Sequence, residues 1–524
     1  MSGEGNHREV PARDPVCQTG SREATLRVER RTPVAAMTAL GVSFTLLIAA
    51  WVVATPPFTA PDEASHYLRA LSIANGHLVG PKVAYRPVPP GTSPAQLAWA
   101  DKGTRAVRVP APLSPPDVTC MNGRPDVAAQ DCLEATEVGN YHPLPYLLPA
   151  LALTVSHDAA TGLWLSRLAS ALPCLAFILL AFIMLWDASA WSLVGALGAI
   201  TPMVLFVSSV VNPNGLQLAA CLAFAASVLR IVRAPSHQPT WVWAAFAASG
   251  AVAILAWQLG PVFVVADLLL GAALLGFSGL GELRCSGRRF GLSALTLVMA
   301  AALYLVYGLA SGVSHSTFGL SPIGSSLHAG LSQLGPVLRD SVGTFGSLTV
   351  RLPSSAYWIW WLGITATITG AMWVGSRRDR WLLGAVVVIV LTFPVLFFAW
   401  VYRFTGFGLQ GRYVLPMIVL IPLLAGEIIR RRLQMRPPHQ LWRFVPGAAA
   451  ALVACFQAYA WWFNARVAAG APHSVRFYVH PSWSPPLGWW PWIAITALGA
   501  AALFTFGVIG TSSPARYPSI ANQS

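Results

Sequence analysis

The segment Pro61-Asp62-Glu63-Ala64-Ser65-His66, followed by Arg69, gathers two carboxylates, an imidazole and a guanidinium just after the first apolar stretch of the chain. A carboxylate at a membrane face can take a proton from a substrate hydroxyl or hold a divalent cation. Adjacent acids can divide such roles, because close like charges push their pKa values apart. Asp62 and Glu63 are therefore the candidate catalytic residues, and either is the candidate ligand if a divalent cation serves as cofactor. If 63–75 is helical, His66 and Arg69 share a face with one of the acids. Arg69 then suits a phosphate, and His66 a sugar hydroxyl or a metal. The plainer alternatives are a solvated loop acid, an Asp that caps a helix starting at Ala64, and an ordinary amphipathic face.

Other candidates lie further along. Asn140-Tyr141-His142-Pro143-Leu144-Pro145-Tyr146 combines a fixed backbone with aromatics suited to sugar faces or to the membrane interface. Asn212-Pro213-Asn214-Gly215 is a turn whose amides could also bond a polar substrate. Arg403 and Arg412-Tyr413 flank a glycine-rich link, where the backbone is open to a ligand and an arginine fork matches a phosphate. Snorkelling to lipid headgroups is the competing reading for Arg412. Asp267 and Glu427 fall inside apolar stretches, where charge is costly and marks function by default. Glu427 is also placed to pair with Arg430 or Arg431. Asp267 leaves an ion or proton pathway open.

These residues need elements to hold them. The chain has 524 residues, of which 55% are hydrophobic and 10% charged, and its mean hydropathy is +0.57. A soluble fold could not hide that much apolar surface. About twelve apolar stretches have spanning length: 34–54, 163–186, 190–211, 215–233, 241–258, 260–280, 291–310, 357–375, 381–401, 413–430, 444–463 and 489–510. The expected fold is an all-α integral membrane protein with a long first extracytoplasmic loop.

The net charge of +14 raises the question of nucleic acid, but its placement answers it. Arg30-Arg31, Arg230/Arg233, Arg284/Arg288/Arg289, Arg377/Arg378/Arg380 and Arg430-Arg431-Arg432 all fall on one side if the amino terminus is cytoplasmic. That is the positive-inside pattern. The link at Asp187 is the exception, with no positive charge. The expected partner is thus the bilayer, with no nucleic acid. The first stretch is too long for a cleaved leader and is read as an anchor.

Residues 1–33 read as a disordered cytoplasmic tail, 34–510 as the membrane domain, and 511–524 as a second tail. Within the membrane domain, 55–142 is a proline-rich outer loop. Residues 143–157 are apolar but short. Counting them as a span would invert every later arginine cluster, so they are expected to lie along the surface as an interfacial helix or re-entrant segment. Of the seven cysteines, Cys120 and Cys132 alone share the outer loop, and a disulfide is expected between them. No Cys-x-x-Cys pair accompanies them, which disfavours zinc.

Taken together, Pro61-Asp62-Glu63 with His66 and Arg69, Tyr141-His142-Pro143-Leu144, Pro202-Met203 leading to Asn212-Pro213-Asn214-Gly215, Gly343-Thr344-Phe345-Gly346 and Gln410-Gly411-Arg412-Tyr413-Val414-Leu415-Pro416 resemble the DUF2142 family of bacterial multi-pass membrane proteins. The resemblance covers about residues 35–510. That family in turn looks like the GT-C glycosyltransferase superfamily, whose members take a sugar from a polyprenyl-phosphate carrier outside the membrane. The resemblance implies a GT-C-like fold in the bacterial plasma membrane, with an essential first-loop acid that here is Asp62. It also likens the His-Pro-Leu segment and Arg167 to a surface helix and the span that follows. Where many relatives carry another acid this chain has Asn212 and Asn214, and metal dependence stays open.

The expected function is transfer of a sugar from a polyprenyl-phosphate donor to an envelope glycan or glycolipid acceptor. His66, Arg69, His142, Asn212, Asn214, Arg403, Arg412 and Tyr413 are the expected substrate-binding residues. The alternatives are a transporter or flippase of lipid-linked glycans, which Asp267 would serve, and a non-catalytic envelope-assembly protein.

Overall fold

The computed structural model describes residues 34–83, 97, 101–116, 132–187, 190–312, 321–405, 408, 410–435 and 444–512. The two expected tails, 1–33 and nearly all of 511–524, and Cys120 lie outside these residues.

The described chain is helical with two small β-ribbons, the architecture expected from composition. Seven helices are long and apolar enough to cross a membrane: α1 (Val34–Val53), α4 (Ala159–Leu185), α7 (Pro213–Arg233), α9 (Gly260–Cys285, kinked at Gly276), α10 (Arg288–Ser311), α13 (Arg377–Thr405) and α17 (Trp489–Ser512). Five of the twelve expected stretches do not meet that standard. The 190–211 stretch is broken into α5 (Val194–Ala199) and α6 (Pro202–Val207). Pro202 explains the break: it lacks an N–H and suits only a first helical turn. The 413–430 stretch is likewise split into α14 (Leu415–Ile418) and α15 (Leu420–Met435). The 241–258 stretch forms the 17-residue α8 (Thr240–Ala256). α12 (Ser354–Val374) and α16 (Val445–Ala468) are long, but rich in Trp, Thr, Ala and Gly.

α7 lies at the centre, with 89% of its apolar window buried. It packs on α4, α8 and α9, while α1 packs on α4 and α17. Small residues permit the closest approaches. A side chain on Gly195 of α5 would strike the backbone of Pro422 and Gly426 in α15.

Among the described residues, the arginine clusters around Arg233, Asp379 and Arg430–Arg432 meet at one end of the bundle. Arg233 and Arg430 both grip Glu427, at 2.7 and 2.6 Å, and Arg430 also reaches Asp187 at 3.0 Å. Arg431 and Arg432 pair with Asp379. Glu427 is thereby a structural acid. The link at Asp187, which carries no positive charge of its own, is met by Arg430, a partner far along the chain.

The opposite end carries the 55–142 excursion. It holds α2 (Glu63–Ala74) and an antiparallel ribbon of β1 (Arg105–Val109) and β2 (Cys132–Thr136). Cys132 is disulfide-bonded. After a 3₁₀ turn comes α3 (Leu147–Thr154), an eight-residue helix that packs on α2 and α4. It leaves Leu147, Leu148 and Leu151 exposed.

One helix was not anticipated. α11 (Ile323–Gly343) runs through what reads as an outer segment and packs along α13. Its signal was present in Ile323, Leu327, Leu331, Leu334 and Leu338, spaced for one helix face. A short hairpin follows, β3 (Thr344–Phe345) with β4 (Val350–Arg351).

Candidate active site

The loop after α1 is pinned before it delivers Asp62. Arg167 of α4 donates to the backbone oxygens of Val52, Thr55 and Pro56 at 3.0, 2.8 and 3.1 Å. Its remaining N–H groups hold both oxygens of Glu63, at 2.7 and 2.6 Å. Both side chains are sealed from solvent. The Glu63 carboxylate also accepts from the backbone N–H of Val211 at 3.3 Å. Glu63, expected as a catalytic candidate, is therefore committed to a buried fork–fork pair and presents no free oxygen to a substrate. The pairing explains why an acid is tolerated there, since an unpaired buried charge is very costly.

Asp62 is its opposite. It precedes α2 in the left-handed conformation, φ 57°, and makes no side-chain cap bond. A non-glycine residue there costs about 1 kcal/mol or more and persists only when neighbours impose it. Here they do. Asn212 donates its amide to the Pro61 oxygen at 3.2 Å, and Ser347 of the β3–β4 hairpin donates to the Thr59 oxygen at 2.9 Å. The Asp62 side chain is 47% exposed and forms an ion pair with Arg412, which is 1% exposed.

Arg412 sits in a 3₁₀ turn, Gly411–Tyr413. Gly411 has to be glycine, because a side chain would collide with the backbone of Val337 and with Asp340 in α11. Asp340 braces this contact, accepting from the Thr344 hydroxyl at 2.8 Å and from the Gly411 N–H at 3.4 Å. The guanidinium lies 5.2 Å over the Tyr413 ring, whose face meets Trp257 at 4.8 Å. Its Nε is buried with no hydrogen-bond partner among the described residues. Burial opposes the charge of Arg412, but Tyr413 and Asp62 outweigh it and hold its pKa above the usual value.

Behind the pair stands a cluster of rings. His66 shares a 2.8 Å hydrogen bond with the Tyr146 hydroxyl and lies 5.9 Å from that ring. Burial drives its pKa down to about 3, against the pull of Asp62, so it is neutral near pH 7. Arg69 is fully buried and spends its fork on backbone, donating to the Leu78 oxygen at 2.6 Å and the Tyr141 oxygen at 2.7 Å, and to the Tyr307 hydroxyl at 3.1 Å. It shapes the wall; its Nη1 is buried without a partner among the described residues. His142 packs its ring 4.9 Å from Tyr307, and burial, with Arg69 nearby, lowers its pKa to about 4.

Asn212 caps α7 by accepting from the Asn214 N–H at 3.0 Å. The Asn214 side-chain nitrogen is buried and unpartnered among the described residues, and so is the Nε of Arg403 at the end of α13. The site as built thus has an excess of donors. Sequence reading missed Asp340, Tyr307 and Glu134. The last is a buried acid of β2 bonded to the Ser114 hydroxyl and pushed up to about 7 by burial. None of the three sits in a local motif, so only contact could reveal them.

The donor set does not fit a divalent cation. Among the described residues no group of three or more His, Cys, Asp or Glu side chains is arranged to hold a metal. Asp62 faces a guanidinium, Glu63 is occupied, and asparagines stand at 212 and 214.

Fold and site together define a polytopic helical membrane protein with a charged, donor-rich cluster of side chains at the end that carries its long loop. The chain belongs to the DUF2142 family, described as predicted membrane proteins, whose profile matches residues 44–421. A search of the curated proteins found no match. Among solved structures the chain is similar to ArnT from Cupriavidus metallidurans in the apo state, at 14% identity and TM-score 0.42, over 90% of this chain and 76% of that one. The same protein bound to undecaprenyl phosphate matches over the same shares, at 14% identity and TM-score 0.38.

Proposed function

We propose that this protein is a membrane glycosyltransferase of GT-C type. It moves a sugar from a polyprenyl-phosphate carrier to an envelope glycan or glycolipid at the extracytoplasmic face, with its amino terminus in the cytoplasm. The observation that carries the reading is the pair of a half-exposed Asp62 and a buried Arg412 that keeps a spare N–H. An acid open to solvent beside a fixed cation suits transfer from a phosphate leaving group.

In this mechanism the acceptor hydroxyl attacks the anomeric carbon and the bond from that carbon to the phosphate oxygen breaks. Polyprenyl phosphate departs with the bonding electrons, and Asp62 takes the hydroxyl proton. Arg412 balances the charge that grows on the leaving phosphate. Its planar fork can serve a phosphate oxygen and Asp62 together. Asn214 and Arg403 supply further donors. Glu63 and Arg167 keep the Asp62 loop in place, and neutral His66 offers a hydrogen bond with no competing charge. No step runs through a metal.

A second reading, transport of a lipid-linked glycan, is favoured by one observation. Asp267 is buried within α9, with no ion pair among the described residues. Purified protein given radiolabelled polyprenyl-phosphate sugars and an envelope glycolipid fraction separates the two. Release of polyprenyl phosphate with label in the acceptor supports the enzyme. Movement of intact donor across vesicles without cleavage would replace it with the transporter.

A further inference from the structure

α13 carries a ladder of aromatic rings. Phe393 stacks on Phe397 at 5.5 Å, Phe397 on Trp400 at 6.0 Å, and Trp400 meets Phe404 at 5.7 Å. At 100° per residue these four fall within about 60° of one another, and the ladder rises about 16 Å. α11 packs on the opposite face, where Gly330 meets the Val395 backbone and Ala399. α9 touches α13 lower down, where Arg378 donates to the Ala273 oxygen at 2.6 Å and the Phe263 ring lies 6.2 Å from Phe393. Above Phe393 this side of α13 opens outward, with Leu396 59% and Trp400 44% exposed.

The ladder does not end in featureless lipid. Its upper end reaches Arg403, whose buried Nε lacks a partner among the described residues. Trp257, six residues before Phe263 in the chain, meets Tyr413, the ring against which Arg412 is set. Arg412 is itself more than nine-tenths buried, with an unpartnered Nε. An apolar strip thus has Arg403 and its unsatisfied donor at one end, and at the other Phe263 of α9, the helix that follows Trp257 and its contact with the Arg412–Tyr413 turn. An amphiphile with one long hydrocarbon tail and one phosphate matches both parts at once.

The geometry points to the Phe393–Phe397–Trp400–Phe404 face of α13 as the track for the isoprenoid tail of the carrier, which makes the protein selective for chain length. The inference rests on the function proposed above and assigns the part of the carrier that the charged site does not touch. Flat rings suit an isoprenoid chain because its planar double bonds and methyl branches lie against them with large contact area. A short chain ends before it passes the ladder, and a long one covers it.

The test uses full-length protein in phospholipid nanodiscs and two probes, a long-chain polyprenyl phosphate and geranyl phosphate. Wild type should bind the long probe more tightly. Phe397→Ala combined with Trp400→Ala should weaken the long probe about tenfold, on the scale of two lost aromatic contacts, and leave geranyl phosphate within about twofold. Arg412→Ala should weaken both. A lipid-facing change elsewhere, Leu362→Ala, controls for general effects, and thermal midpoints check that each variant folds. Equal affinity of wild type for the two probes, or equal loss of both in the ladder variant, overturns the track and leaves the enzyme reading standing. Binding of neither probe by wild type overturns both. A long probe carrying a diazirine in its tail should label 393–404 and be displaced by unlabelled polyprenyl phosphate. Equal displacement by phosphatidylglycerol would make the ladder an ordinary lipid-facing surface and overturn the proposal.

Discussion

Glu63 and Arg167 form a closed two-point pair, 2.7 and 2.6 Å across, with neither side chain exposed to solvent. The next-door residue, Asp62, is 47% exposed. Adjacent carboxylates thus hold opposite positions, one spent on structure and one left open. The left-handed backbone at Asp62 turns them apart.

This pair predicts a non-additive stability pattern. Glu63→Gln or Arg167→Met alone strands a buried charge and should cost about 3–5 kcal/mol. The double variant should lose less than the sum, because no unpaired charge remains. Thermal midpoints in one detergent, with all four proteins in parallel, decide it. Additive losses would mean that the two side chains act independently.

For Asp62→Asn the expectation is different. The loss should fall on turnover, about a hundredfold or more if Asp62 is the base, compared at matched amounts of folded, inserted protein. The side chain is half exposed and the amide oxygen can still accept from Arg412, but the buried guanidinium loses its counter-charge, so a drop in thermal midpoint accompanies the drop in turnover. Measured transfer at wild-type level would move the chemistry elsewhere, with Asp267 the next candidate.

Arg412→Lys separates phosphate binding from snorkelling. Lysine keeps the charge and snorkels as well, but it loses the fork. Donor affinity should fall by about 1–3 kcal/mol, the scale of a hydrogen bond to a charged group. The comparison needs two salt concentrations, since attraction to headgroups is itself screened. Unchanged affinity in both Arg412→Lys and Arg412→Ala removes this residue from the site.

Acid sensitivity should trace to His66. Its folded pKa of about 3 lies below the unfolded value near 6.5, so the unfolded chain binds the extra proton between those limits. Stability from this group is complete above about pH 6.5 and is lost as pH falls toward 3, at up to about 1.4 kcal/mol per unit. Glu134 works the other way. Its folded pKa of about 7 is raised, so its contribution declines as pH rises from about 4.5 to 7. Relative to wild type, midpoints between pH 4 and 8 should therefore lose the His66 part of their fall below pH 6.5 in His66→Gln and lose the Glu134 part of their decline between about pH 4.5 and 7 in Glu134→Gln. Curves parallel to wild type in both variants would contradict these assignments.

A good part of this protein is legible without coordinates. Apolar run length and arginine placement are local properties of the chain, and they mark a helical membrane protein with its clusters at one end. Residues 61–69, 140–146, 212–215 and 410–416 stand out as short motifs for the same reason, and all four converge at the loop end of the bundle. What they do there was not legible. Asp62 meets Arg412 across 350 positions, and Arg167 claims Glu63 across 104. Both pairings depend on how α4, α7 and α11 pack, and no local pattern encodes that. Composition treats Asp62 and Glu63 as equals; only the packed structure seals one and opens the other. The same holds for Arg69, whose fork is spent on backbone oxygens that the 55–142 excursion brings to it. Charges in low dielectric are decided by their nearest partners, and those partners are supplied by the tertiary fold.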